Sequence, residues 1–74
     1  MLDPEKNQKL LDLTTRAVSI NEELLKEEKR FIDAVSQNVD LNVLKEMHWK
    51  INLLMRKEVL FNGAAYRVLQ NAGT

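Results

Sequence analysis

At 74 residues this chain forms one domain at most, and a domain so small buries too little surface to be secure alone. Eleven basic side chains balance eleven acidic ones, which excludes a global pull toward nucleic acid or acidic membranes; 45% hydrophobic residues with two glycines and one proline exclude a disordered or low-complexity chain. The absence of cysteine removes disulfides and thiolate metal sites, fits a reducing compartment, and leaves association as the way to reinforce a small core.

The first residues, MLDPEKNQKLL, contain no apolar segment of the kind a secretory signal needs. The longest apolar runs are three residues, as at Leu53-Leu54-Met55, whereas a membrane-spanning helix needs ~20. Both features predict a cytoplasmic protein with no membrane insertion.

A helix starts at the sequence LDPEK. Asp3 can cap free backbone N–H groups, Pro4 suits the first helical position, and Glu5 favours the positive end of the helix dipole. No glycine or proline follows until well past Ser36, so a helix over residues 4–36 is predicted. Apolar residues repeat every seven positions and give a core seam of Leu10, Leu13, Ala17, Ile20, Leu24, Glu27, Phe31 and Ala34, interrupted only by Glu27. A second seam lies beside it: Leu11, Thr14, Val18, Asn21, Leu25, Glu28, Ile32 and Val35. That line is half polar, and its apolar members Leu11, Val18, Leu25 and Ile32 point to a further neighbour or to one wide packed face.

The stretch SQNVDLN, residues 36–42, is the internal turn signal, with Asn38, Asp40 and Asn42 all able to cap a second helix. So short a connection makes the two helices antiparallel neighbours. The second helix is predicted over residues 41–70, with a seam of Leu44, Met47, Ile51, Leu54, Glu58, Phe61, Ala65 and Val68, interrupted by Glu58. Pairing residues whose numbers sum to about 78 sets Phe31 against Met47, Leu24 against Leu54, Ala17 against Phe61 and Leu13 against Ala65, so that large faces small. The same register brings Glu22 and Glu23 toward Arg56 and Lys57, and Asp12 toward Arg67. Residues 1–40 hold six basic and nine acidic side chains, net −3, while residues 41–74 hold five and two, net +3.

Asn62-Gly63 is a strong turn signal inside this second helix. The seam nevertheless keeps its phase through Phe61, Ala65 and Val68, which predicts a continuous helix despite ~1 kcal/mol for an interior glycine. Gly63 and Ala64 then form a low spot on the outward side where another helix could come close.

Trp49, Leu53, Val59, Leu60 and Tyr66 also fall away from the seam, and soluble monomers rarely leave such a patch bare. Trp49, Leu53, Leu60, Gly63, Ala64 and Tyr66 are therefore the candidate partner interface, with Leu11, Val18, Leu25 and Ile32 as a second contact line. Asn21, Glu27 and Glu58 are the candidates for selecting register and partner.

Catalytic, metal and cofactor chemistry finds little support. His48 is the one histidine, and its helical neighbours Leu44, Lys45, Ile51 and Asn52 include no carboxylate, so a partly buried structural role is expected. Glu22-Glu23 and Glu27-Glu28 are adjacent pairs that point ~100° apart and do not converge on one ion. No phosphate loop, nucleophile elbow, His–Cys ligand set or Glu-x-x-His motif occurs.

The chain is thus expected to be an all-α, antiparallel two-helix hairpin forming a single domain over residues 1–74. It would complete a four-helix bundle or coiled-coil-like assembly by association. Its expected role is that of a non-enzymatic protein–protein interaction module, self-associating or joined to a heteromeric helical partner. Rival readings are a small co-chaperone or adaptor, or a secretion- or phage-type assembly subunit masking an apolar helix, and a small dimeric nucleic-acid-binding regulator. The last is disfavoured because Lys50, Arg56, Lys57 and Arg67 are spread around the helix instead of forming a basic stripe.

Overall fold

The structure is a computed structural model that describes residues 3–72. Helix α1 runs Pro4–Ser36 and helix α2 runs Leu41–Ala72, packed side by side as an antiparallel hairpin. The pair measures 53 × 15 × 13 Å, a layer one helix thick.

Local chemistry fixes each end. Asp3 caps α1, its carboxylate accepting from the Lys6 N–H at 2.8 Å, with Pro4 in the first turn. The C-terminus of α1 closes in a Schellman motif. Asn38 adopts the left-handed conformation at φ 56°, its N–H donates to the Val35 carbonyl, and the Val39 N–H reaches back to the carbonyl of Ala34. Of the three candidate caps for α2, Asp40 takes the part: its side chain accepts from the Asn42 N–H at 3.2 Å and its carbonyl accepts from Val43 and Leu44. Asn38 instead ends α1, because a short polar side chain tolerates positive φ better than most. Helix α2 passes unbroken through Asn62-Gly63, where Gly63 has an ordinary helical φ, and continues two residues past Gln70.

The two predicted seams are the packed stripe. Ala17, Leu24, Glu27, Ile51, Leu54 and Ala65 are buried, and every other seam member is half-buried. Leu24, Ile51 and Leu54 form the central cluster, with Ile20 and Phe31 packed on it. The register agrees with large-against-small pairing: Lys50 reaches Glu27 and His48 stands over Phe31, each within one position of the predicted alignment.

Glu27, the apolar seam's interruption in α1, is 9% exposed. Its Oε1 accepts from Arg30 Nη1 and Lys50 Nζ, both at 3.3 Å, so a carboxylate in the stripe has two charged donors. Lys50 makes this a cross-helix tie. The other expected cross-helix pairs do not form: Asp12 bonds Arg16 on its own helix, and Glu22, Glu23, Arg56, Lys57 and Arg67 make no ion pair among the described residues. An exposed pair contributes only ~0–1 kcal/mol, too little to hold two long side chains in one geometry.

Leu54→Ala should cost about 2–5 kcal/mol, as for other buried leucines. In a core this small that loss should abolish the cooperative thermal transition followed by far-UV circular dichroism. At one fixed protein concentration, Lys50→Met should lower Tm by several degrees, corresponding to about 1 kcal/mol. Glu27→Leu should leave Tm unchanged or raise it, since an apolar residue of similar volume removes the carboxylate's desolvation.

Candidate interaction surface

Because the hairpin is a single layer, each helix buries one stripe and leaves a flank open above and below. The two flanks of α1 differ sharply in chemistry. On one, Leu11, Val18, Leu25 and Ile32 recur at seven-residue intervals, and each is more than half exposed. On the other, Lys9, Arg16, Glu23 and Arg30 recur at the same interval. The hairpin therefore has an apolar face and a charged face.

Helix α2 contributes to both. Thr14, Val18 and Asn21 line a groove with Glu58 and Asn62, and Glu28 and Ile32 line another with His48 and Met55. The apolar stripe of α1 thus continues onto the line Leu41, His48, Met55, Asn62 and Leu69 of α2, again spaced by sevens. On the opposite side Leu13, Ile20 and Glu23 share a groove with Lys57, Leu60 and Ala64.

The candidate interface residues of α2 consequently do not gather on one surface. Leu60 and Ala64 belong to the charged face, and Leu53 is half-buried. Trp49 is about two-thirds exposed on the outer side, in an open groove with Leu41, Lys45, His48 and Asn52. Tyr66 is exposed with its hydroxyl accepting from Gln70 Nε2 at 2.7 Å. The reason is helical geometry: Leu60 and Tyr66, six positions apart, point ~120° away from each other. Leu41, Met55, Val59 and Leu69 are exposed apolar residues that sequence reasoning did not assign to the interface. For Leu41, Met55 and Leu69 the signal is the second seven-residue line in α2, whereas Val59 falls with the residues pointing away from the seam.

The polar interruptions also separate. Asn21 and Glu58 line the same groove on the apolar face, whereas Glu27 is engaged by Arg30 and Lys50. Glu58 is half-buried, and its Oε2 is sealed from solvent without a hydrogen-bond partner in the hairpin. A carboxylate oxygen in that condition is costly unless something else supplies a donor.

Gly63 is half-buried, and a Cβ placed there would meet only the guanidinium of Arg67 at 3.8 Å, so no part of α1 presses on it. It remains the low spot on the outside of α2 predicted from the phase of the seam.

His48 is exposed, in contrast to its expected half-burial, and its ring packs against Phe31 with centroids 5.6 Å apart and planes tilted by 51°. It escapes burial because it lies beside the seam, where a one-layer fold provides no second wall. Glu28 lines the same groove but makes no hydrogen bond to it. Among the described residues no group of three or more His, Asp or Glu is placed to hold a metal ion, and no helix is long and apolar enough to cross a membrane. The concavities are open surface grooves, not enclosed cavities. Comparison with protein-family models, curated proteins and solved structures gives no match for this chain.

Gly63→Ala should raise stability by roughly 0.5–1 kcal/mol, because the methyl group meets no crowding and alanine is the better helix former. A higher denaturation midpoint in urea at constant m-value would show it.

Proposed function

We propose that this protein is a non-enzymatic assembly module, a helical hairpin that self-associates through its exposed apolar face. The observation that carries the reading is the row of Leu11, Val18, Leu25 and Ile32, each more than half exposed at seven-residue spacing and interleaved with Thr14, Asn21 and Glu28, with Met55 of α2 in the groove beside Ile32. A large contiguous apolar surface on a soluble chain marks an interaction site. A layer with one open apolar side is the half of a four-helix bundle that a second layer completes. The core is slender, with five apolar residues buried among the described residues, so association would also supply the stability that length denies.

The charged face suits a different role. Leu60 lies there in a groove with Leu13, Ile20, Leu54, Phe61 and Ala64, and Glu23 and Lys57 border it. A small adaptor or co-chaperone would use the same apolar face to cover a helix of another protein, and the oligomeric mass separates the two readings. A nucleic-acid-binding role has weaker support: Lys50 is committed to Glu27, and the remaining basic residues of α2 do not form a stripe.

Sedimentation equilibrium at low micromolar concentration should give twice the 8.6 kDa chain mass. The melting temperature should rise with protein concentration, as mass action requires of an associating fold. Val18→Asp with Met55→Asp should abolish the dimer, while Leu60→Ser on the charged face should leave the mass unchanged. A concentration-independent, fully helical monomer would refute self-association.

A further inference from the structure

Resting on that reading, we propose that the apolar face is covered by a second copy in one particular arrangement. Each α1 lies on the α2 of the other copy, with both connecting turns at the same end of the bundle. Two hairpins can stack face to face about a two-fold axis in two ways. An axis across the helices lays α1 on α1 and α2 on α2. An axis along the helices lays each α1 on the other copy's α2. Helix α2 carries five basic and two acidic side chains, net +3, and the first arrangement would place it on itself. The second places it on α1, which carries seven acidic and six basic side chains.

The second arrangement also makes a sharp geometric demand. An axis parallel to the helices permits no sliding, so residues level with one another within a hairpin stay level across the two copies. In the register that joins Glu27 to Lys50 and stacks Phe31 on His48, Glu22 is level with Arg56, Lys29 with Trp49, and Thr15 with Gly63. These six residues occupy the outer edges of the two stripes: Glu22 and Lys29 follow Val18 and Leu25 by one turn, and Arg56 and Gly63 follow Asn52 and Val59 likewise. Across the dimer a carboxylate then meets a guanidinium, an ammonium meets the face of an indole, and a hydroxyl-bearing side chain meets the low spot at glycine. None of the three ion pairs inside the hairpin engages Glu22, Lys29 or Arg56.

The same axis brings Asn21 and Glu58 of both copies level at the middle of the interface. Asn21 lines the groove that holds Glu58, whose Oε2 has no hydrogen-bond partner in the single hairpin. One polar layer inside an apolar interface favours a single register.

Cross-linking tests the arrangement in a chain with no native cysteine. The double variant Glu22→Cys/Arg56→Cys, treated with a short bis-maleimide, should give covalent dimer, whereas each single variant should not. In the other arrangement the middle of each helix lies on its own copy, so Arg56→Cys alone would link, and that result would overturn the proposal. A dimeric mass for the unmodified chain with no linkage in the double variant would also overturn it while leaving self-association intact. A monomeric mass would remove both. As a second readout, Glu22→Arg should weaken the dimer by about threefold, and adding Arg56→Glu should restore it. Failure of the swap to restore affinity in variants of unchanged helicity would count against the pairing.

Discussion

Two helices lying side by side can bury only the stripe between them, and the rest of this protein follows from that constraint. The stripe here is well made: Leu24, Ile51 and Leu54 close the middle, with Ile20 and Phe31 packed against them. Beyond that cluster most seam residues are only half-buried. The apolar residues that remain are spread over the outside of the pair: Leu11, Val18, Leu25 and Ile32 share one flank of α1, whereas Trp49 and Leu60 lie elsewhere on α2.

Glu27 and Glu58 show how position decides the meaning of a charged residue in an apolar seam. Both interrupt the seven-residue pattern, one in each helix. Glu27 has Arg30 one turn away and Lys50 across the groove, so its carboxylate is satisfied and ties the helices in register. Glu58 has Asn21, Thr14 and Asn62 in its groove and no hydrogen bond from any of them to its sealed oxygen. The first is a feature of the hairpin; the second has no partner within it and lines the groove beside Val18 and Asn21.

Much of this was readable from residue spacing alone. Asp3, Pro4 and the scarcity of glycine and proline marked the helices, and the unbroken phase through Phe61, Ala65 and Val68 outweighed the turn signal at Asn62-Gly63. The division of labour among Asn38, Asp40 and Asn42 was not readable, because three residues with similar capping chemistry stand within five positions. Backbone geometry separates them: Asn38 alone takes positive φ, and the Asp40 carboxylate alone receives an N–H of the new helix.

Sequence by itself determined the fold class, the bounds of α1 and the register, because seven-residue periodicity in two segments joined by a short turn admits few other solutions. It could also say that more apolar surface exists than one seam consumes. Only the tertiary structure decided which flank of α2 lies beside which flank of α1. That depends on the handed way in which two helices pack, and one-dimensional spacing carries no such information. The same packing sets Met55 beside Ile32 on one flank of the pair and Leu60 beside Glu23 on the other, with an outer groove of α2 between them.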